Sequence, residues 1–539
     1  MAVPSPARQR GYDAGMKTDR CAGGFVWSAV FAALLGCGEP VAPAPTTDPL
    51  AAPVAPAPSD DAEGPVSIAT IDAETPSLDA CGALSESNDR CGPVLSLDPE
   101  VPGDACDPGL DGWTPSANAM DHFSWRTLVA LLWPATPDVA GLPDRSSRIG
   151  DRSTETLSRP AVFETWPSPD DLRALDAQLE EGDRLRPDDW GKTPPAPGAC
   201  PGETGLRVLR HTSKVRPETA AALTGPPASA HGGPAVDQNG QIVFVETRFN
   251  RTVWDVITGG GFNRPGADRR GLDYPNNLGD TGYEQGAVAV QAAWRVLSTD
   301  EAASGEYHVS EVLLFQEGTS ERQAVCDRTT VGLVGLSIAH NTAWGGDDWV
   351  WSVFDHASTT ANPGGARTDG FFLSSSSCGG ADPRACASAP VPAGESLACC
   401  PNTDLHGPLG PAERIIEDRT PTQVTRTTPA DDRSGCGEQY RTALRGTPVE
   451  FMQLGGTQWW ANPEAETLEL GPEPRTVRSL TMQPFAVEFD ADGTQRTDSS
   501  CIGCHRQGED RLFLLSASKQ APPESPGTAS PSEEPSAPE

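Results

Sequence analysis

A motif near the end of the chain has the residue types and the spacing needed for redox chemistry. It reads Cys501-Ile502-Gly503-Cys504-His505. Two cysteines at this spacing can each form a thioether bond to one porphyrin, and the imidazole that follows can ligate its iron. The motif therefore predicts one covalent haem c on Cys501 and Cys504, with His505 as the proximal iron ligand. The alternative for the same residues is a Cys501–Cys504 disulfide or redox-active thiol pair without haem.

The motif leaves the second axial ligand of the iron open. No Met or His follows His505, so a second ligand from this chain must come from upstream. The main candidates for this distal position are Met482, His340 and His356, and the weaker ones are Met452 and His406. Without any of these ligands the iron would be five-coordinate, and an open distal site permits catalysis.

The start of the chain has the pattern of an export signal. Lys17 and Arg20 precede an apolar stretch that ends in Leu34-Leu35-Gly36-Cys37. A basic region followed by a short apolar region and small residues is typical of a secretory signal peptide. The ending resembles a bacterial lipobox, which implies cleavage before Cys37 and acylation of its thiol. We therefore expect a cell-envelope protein, lipid-anchored at the periplasmic face or in the outer membrane. The alternative is a plain signal peptide with a chance cysteine.

Composition divides the chain into four segments. Residues 1–36 form the lipoprotein-type signal peptide, and residues 37–80 are rich in Pro, Ala and acidic side chains. Residues 517–539 have the same bias, and neither segment has enough large apolar side chains to bury a core. We predict a disordered tether at 37–80, one large folded body at 81–516 and a disordered tail at 517–539. The haem-attachment segment, 497–510, belongs to the folded body.

The charge of the chain excludes one class of partner. Its formal net charge is −35 at pH 7. Nucleic-acid binding needs clustered Lys and Arg, so we expect no nucleic-acid partner. Redox proteins of the cell envelope are the expected partners, together with the membrane that holds the lipid anchor.

The remaining cysteines suit an oxidising compartment. Besides Cys21, Cys37, Cys501 and Cys504, ten are present: Cys81, Cys91, Cys106, Cys200, Cys326, Cys378, Cys386, Cys399, Cys400 and Cys436. An even number in an exported chain predicts up to five disulfides, whose pairing the sequence does not give. A zinc site is the alternative, but these residues lack zinc-finger spacing.

Hydrophobic periodicity predicts an α+β fold that is rich in strands and loops. Helical spacing and a Ser168 cap predict helices at 117–133 and 169–181, the second ended by Gly182. Apolar alternation predicts strands at 241–249, 287–297, 307–315, 329–338, 349–354 and 449–454. Tryptophans gather at Trp344, Trp349, Trp351 and Trp459-Trp460. Core packing is the simpler explanation of these tryptophans, and an aromatic wall around the porphyrin is the alternative.

Several stretches together resemble a family of exported bacterial proteins labelled "cytochrome c family protein". The matching stretches are 123–135, 161–166, 237–250, 288–297, 331–342, 349–357, 420–426, 456–460, 480–482 and 499–505. They span nearly all of the predicted folded body, and the resemblance implies one haem-bearing unit. It adds no reaction and does not choose among His340, His356 and Met482. The family's usual Thr-Thr-Met-Glu run is Leu480-Thr481-Met482-Gln483 here.

Three functions are compatible with these features. The first is a lipid-anchored monohaem c-type cytochrome that transfers electrons in the periplasm or at the cell surface. The second is a haem-dependent oxidoreductase, such as a peroxidase-like enzyme, with an open distal site. The third is a haem-free structural or binding lipoprotein with a Cys501–Cys504 disulfide. We expect the first of these.

Overall fold

The structure of the protein is a computed structural model. It describes residues 97–103, 117–154, 156–180, 183–198, 200, 202–203, 205–212, 235–264, 267, 272–276, 285–316, 323–342, 349–359, 436–459, 479, 481–482, 501 and 505. The chain divides into two compact units, Met1–Ala69 and Thr70–Glu539, and all of the described residues belong to the second unit. The expected signal peptide, Cys37, the tether and the tail therefore lie outside the described residues.

One mixed sheet organises the described part of the chain. Its seven strands are β1 (Arg207–Leu209), β2 (Val243–Phe249), β3 (Val288–Val296), β4 (Val309–Gln316), β5 (Val325–Asn341), β6 (Trp349–His356) and β7 (Met452–Gln458). The described helices are α1 (Ala117–Leu131), α2 (Pro169–Asp176), α3 (Arg251–Gly260), α4 (Thr299–Ala303) and α5 (Cys436–Ala443), with short 3-10 turns at Val162–Thr165, Pro187–Asp189 and Pro448–Phe451. This architecture confirms an α+β fold.

The long strand β5 is the centre of the sheet. Its first half pairs with β4 and its second half with β6, while β3 runs antiparallel along its other edge. The order β1-β4-β5-β3-β2 describes one path, and β7 extends the sheet beyond β6. Only the pairing of β1 with β4 is parallel among the strand pairs described.

Side chains alternate between two faces of the sheet, as the period of a strand requires. Face A carries Leu336, Ile338 and His340 of β5, and helix α1 packs on it: Ser124 of α1 contacts Ser352 of β6 at 2.7 Å. Face B carries Gly335, Ser337 and Ala339 of β5. Helix α3 packs on face B, where Val253, Trp254 and Ile257 share an apolar cluster with Ala339.

The observed elements agree with most of the predicted ones. All six predicted strands are present, although the segment 449–454 begins as a 3-10 turn before β7. The predicted helix at 117–133 is α1, which ends at Leu131. Ser168 caps α2 by accepting from the Asp171 amide at 3.0 Å, but α2 ends at Asp176 and not at Gly182, so the predicted end was wrong.

Three of the described cysteines are in disulfides. Cys200 and Cys326 form a disulfide with Cα atoms 5.7 Å apart, which joins the segment before β1 to β5. Cys436 is also disulfide-bonded. These bonds agree with the expected disulfides, and the other cysteines of that set lie outside the described residues.

None of the helices in the described ranges is both long and apolar enough to cross a membrane.

Candidate functional site

The two described residues of the Cys-x-x-Cys-His motif lie on face B. Cys501 is buried, with 4% of its surface exposed, in an apolar cluster that includes Trp349, Trp351 and Val353 of β6. The imidazole of His505 is half-buried and lies against Trp351, with ring centroids 4.2 Å apart and planes tilted by 37°. Cys504 is outside the described residues. The motif is therefore packed against the central sheet.

Strand alternation explains why this surface is aromatic. Trp349, Trp351 and Val353 are two residues apart in β6, so their side chains point to the same face. Trp351 is paired with Ala339 of β5, whose small side chain leaves room on the sheet for other groups. Trp349 stacks edge-on with Tyr274, at 5.7 Å between centroids. Together these residues form an apolar wall beside Cys501 and His505.

Of the tryptophans that gather near His340 and in the Trp459-Trp460 pair, only Trp349 and Trp351 contribute to this wall among the described residues. Trp459 lies on face A, in a cluster with Met120, Phe123 and Val350. Trp344 and Trp460 are outside the described residues. The concentration of tryptophan in the sequence therefore supplies both core packing on face A and an aromatic surface on face B.

Met482 reaches face B through a hydrogen-bonded turn. The hydroxyls of Ser479 and Thr481 donate to one carboxylate oxygen of Asp355 in β6, at 2.9 and 3.1 Å. The amide of Met482 donates to Ser479 Oγ at 3.2 Å. Thr481 lies directly over Gly335, where a Cβ atom would collide with its hydroxyl. This contact explains the need for glycine at position 335.

The side chain of Met482 is buried on face B. Only 6% of the residue is exposed, and it belongs to an apolar cluster with Ala293 and Val334. Ala293 is paired with Gly335. Met482 therefore lies on the same face of the sheet as Cys501 and His505, in a separate apolar cluster.

His340 lies on the opposite face. It follows Ala339 in β5 and is paired with Val350, so its ring points towards α1, where it is 5.1 Å from Phe123. Its Nε2 contacts the Gln285 carbonyl oxygen at 2.7 Å. Burial lowers the pKa of His340 to about 4, which keeps the ring neutral. The structure does not bring His340 to Cys501 and His505, because the sheet separates them.

His356 is held at the end of β6 by other partners. Its ring stacks on Tyr307 at 4.4 Å and on Phe451 at 5.9 Å. Nδ1 contacts Ser358 Oγ at 2.5 Å, and Nε2 contacts the Glu306 carbonyl oxygen at 3.1 Å. Both nitrogens are therefore engaged. Of the weaker candidates, Met452 is in the core at the start of β7, and His406 lies outside the described residues.

Two observations test whether these residues fit a haem. A covalent haem needs a cysteine and an adjacent imidazole beside a dry, apolar surface, and Cys501, His505 and Trp351 provide it. In addition, the hydroxyl of Ser337, on face B, is buried and has no hydrogen-bond partner among the described residues. Other buried side-chain atoms of the described residues, such as Trp125 Nε1 and Thr359 Oγ1, also have no partner, so this hydroxyl does not by itself indicate a bound group. The residues fit the group. No set of three or more His, Cys, Asp or Glu side chains in the described ranges is arranged to hold a bare metal ion.

A buried cluster of charged side chains beside β1 and β2 was not predicted from the sequence. Arg207 of β1 forms ion pairs with Glu164, at 2.6 Å, and with Glu246 of β2. Arg248 donates to Glu246 at 2.7 Å, and His308 contacts Glu164. The signal was present in β2, where Glu246 and Arg248 occupy alternate positions that share one face of a strand.

The two buried carboxyl groups of this cluster have lowered pKa values. Burial raises the pKa of Glu164, but the charge of Arg207 and the hydrogen bond with His308 outweigh it, so its pKa is well below the usual range. Burial opposes ionisation of Glu246 as well, and Arg207 and Arg248 lower its pKa overall. Glu164, Arg207 and Arg248 line a cavity of about 690 Å³ whose wall includes Trp254. Trp254 also belongs to the cluster that contains Cys501.

Comparison with known proteins gives no relative from which a function could be transferred. No protein-family model, no curated protein and no solved structure matches this chain.

Proposed function

We propose that this protein is a lipid-anchored monohaem c-type cytochrome that transfers electrons in the cell envelope. The observation that carries the proposal is the contact of His505 with Trp351 beside the buried Cys501. A disulfide loop would satisfy Cys501 without requiring an imidazole packed on an indole. The order Cys-x-x-Cys-His and the apolar wall together favour haem attachment.

In this proposal each residue of the site has a separate task. Cys501 and Cys504 hold the porphyrin through thioether bonds, and His505 supplies the proximal nitrogen. Trp351 fixes the plane of the His505 imidazole and excludes water from it. The bound haem would supply a centre that gains and loses one electron.

We further propose Met482 as the distal ligand. It lies on face B with the motif, whereas His340 is on face A and both nitrogens of His356 are hydrogen-bonded. A thioether ligand favours electron transfer over catalysis, because it fills the position at which a substrate would bind iron. An oxidoreductase with an open distal site is the alternative if Met482 does not ligate.

The cellular context is part of the proposal. Acylation of Cys37 would hold the mature chain at the periplasmic face or in the outer membrane, with redox proteins of the envelope as partners. The stretches that resemble "cytochrome c family protein" lead us to propose membership of that family.

Absorption spectra of the purified, matured protein test this function. We expect a low-spin iron in both redox states, with the ferric charge-transfer band of a methionine ligand. A high-spin spectrum that changes on adding cyanide would instead support the open-site enzyme. A matured protein without any haem absorption would leave only the haem-free alternative.

A further inference from the structure

The cavity that Glu164, Arg207 and Arg248 line has a volume suited to a small molecule, about 690 Å³. Small-molecule sites in proteins have volumes of roughly 300–1,000 Å³ and combine apolar walls with a few polar groups. Strand β1 and the next residue, Arg210, form one wall of this cavity, and Ala174 of α2 belongs to another. The charged side chains of the walls indicate which kind of ligand fits.

Arg210 differs from the other basic residues of the cavity wall. Lys192, Arg207 and Arg248 each form an ion pair with a carboxylate. Arg210 forms neither an ion pair nor a hydrogen bond with the described residues, and its guanidinium carbon lies 4.8 Å from the centroid of the Phe315 ring. The described wall therefore contains a guanidinium group that has no carboxylate partner.

The side chain of Arg210 is restricted at Nε and accessible at its end. Nε is buried, whereas the two terminal nitrogens are not among the buried atoms without a partner. A guanidinium binds a carboxylate through two parallel N–H donors, and its terminal nitrogens provide such a pair. Burial of Nε and the contact with Phe315 already order the side chain, which reduces the entropy that binding would cost.

The acidic residues of the wall favour a ligand with a single negative charge. Four of the five contact an arginine, namely Glu164, Asp171, Glu203 and Glu311. The fifth, Asp138, is exposed to water. A cationic ligand would therefore meet the unpaired Arg210 and carboxylates that already have partners. A phosphate dianion would be repelled by the same carboxylates more strongly than a monocarboxylate.

The wall also has apolar side chains that a ligand would cover. Val139 is 44% exposed, and Leu157, Leu206 and Val208 are half-buried. Removal of apolar surface from water favours binding in proportion to its area. The ligand should therefore carry an apolar body beside its charged group.

We propose that this cavity binds a small organic monocarboxylate, whose carboxylate pairs with Arg210 and whose apolar body lies against the cavity wall. The inference goes beyond the proposed electron transfer and does not depend on haem attachment.

Calorimetric titration of the full chain tests the inference with three probes of different shape: decanoate, 3-phenylpropanoate and 2-naphthoate. Each is compared with its neutral amide, which has the same apolar body, and with inorganic phosphate. We expect at least one carboxylate to bind at a single site, roughly tenfold or more tighter than its amide, because the charge-assisted hydrogen bonds are lost in the amide. Phosphate should bind more weakly than that carboxylate.

Variants of two arginines assign the charge. Arg210→Met should weaken binding of the carboxylate by roughly tenfold or more and change binding of the amide little. Arg210→Lys keeps the charge without the paired donors and should bind with intermediate affinity. Arg145 gives a matched control, since it is exposed, pairs with Glu100 and lies outside the cavity wall. Arg145→Met removes the same charge and should leave the affinity unchanged.

A third position locates the site. Ala174→Phe fills part of the cavity without changing a charge, so it should weaken the carboxylate and the amide alike. If Arg210→Met does not fold, the comparison of carboxylate with amide in the parent, together with Ala174→Phe, decides.

Several results would overturn the inference: no binding of any of the three carboxylates, equal affinity for carboxylate and amide, tighter binding of phosphate, or unchanged affinity in folded Arg210→Met or in Ala174→Phe. These results are distinguishable from failure of the proposed function. A parent chain that binds the carboxylate but carries no haem removes the proposed function alone, and a haem-loaded chain that binds none of the carboxylates removes this inference alone.

Discussion

The imidazole of His505 packs on the indole of Trp351, with ring centroids 4.2 Å apart. Trp351 is itself 6% exposed and is paired with Ala339 in the centre of the sheet. A residue of the C-terminal motif is therefore positioned by a rigid strand.

Replacing Trp351 should change the potential of the haem. Trp351→Ala admits water beside the iron, and water stabilises the ferric state with its additional positive charge, so the midpoint potential should fall. The lost packing should also cost about 3–5 kcal/mol in the free energy of unfolding. Redox titration and denaturant unfolding measure the two effects. Trp459 is a similarly buried tryptophan on face A. Trp459→Ala should lower the free energy of unfolding and leave the midpoint potential unchanged. An unchanged potential in Trp351→Ala would contradict the role of this ring.

The two buried methionines of the C-terminal half give a matched test of distal ligation. Met482 lies on face B and Met452 in the core, and they are 6% and 2% exposed. Met482→Leu should remove the methionine charge-transfer band and lower the potential, because a Met ligand raises it. Met452→Leu should leave the spectrum unchanged. Each exchange nearly conserves volume and should cost less than about 1.5 kcal/mol. Identical spectra for the parent and Met482→Leu would exclude Met482 as a ligand.

The strands and the fold class were predictable because their signals are local. Alternating apolar residues identify β2 to β7, and Ser168 identifies the start of α2. Helix α3 was missed because it follows β2 after Asn250 alone, and its Gly259-Gly260-Gly261 end resembles a flexible turn. In the structure Gly261 ends α3 with a left-handed φ of 68°.

The arrangement of the site was only partly predictable. The motif identifies its own residues, but their neighbours depend on pairing between distant strands. The sequence makes both His340 and Trp351 candidates for the haem site. The register that pairs Ala339 with Trp351 places His340 on the other face of the sheet. The Asp355 contacts with Ser479 and Thr481 are likewise non-local, and no short pattern indicates them.

Removal of Arg207 should destabilise the protein in a pH-dependent way. Arg207→Met leaves Glu164 and Glu246 buried without their shared partner, at a cost of about 3–5 kcal/mol near neutral pH. In the parent both carboxyl pKa values are lowered, so their contribution is present above the unfolded pKa and lost as the pH falls through the folded values. In the variant these pKa values rise, and protonation relieves the unpaired charge.

The difference in unfolding free energy between the parent and Arg207→Met should therefore narrow as the pH falls from 7 towards 4.5, the ordinary value for Glu. Denaturant unfolding across this range measures it. Arg328→Met removes an exposed partner of Glu311 and should have little effect at any pH. If the difference in unfolding free energy between the parent and Arg207→Met stayed constant with pH, it would contradict the account of the buried cluster.

His122 should make the protein less stable in acid. Burial, aided by the charge of Arg126, lowers the pKa of His122 from 6.5 to about 3. The unfolded chain thus binds one more proton at this position below pH 6.5, and the free energy of unfolding falls by up to about 1.36 kcal/mol per pH unit. His122→Asn should remove this part of the slope between pH 6 and 4. Tyr440→Phe removes only its 2.9 Å hydroxyl partner and should keep the slope. If the free energy of unfolding of His122→Asn fell as steeply with pH as that of the parent, it would contradict the lowered pKa of His122.

The mass of the purified mature polypeptide, made in cells with the haem-attachment machinery, tests the central claim most directly. The parent chain should be heavier than its processed sequence by the mass of one haem, and that addition should persist after denaturation and be lost in Cys501→Ser/Cys504→Ser. A parent chain without the added haem, or with a mass that shows only a Cys501–Cys504 disulfide, would contradict it.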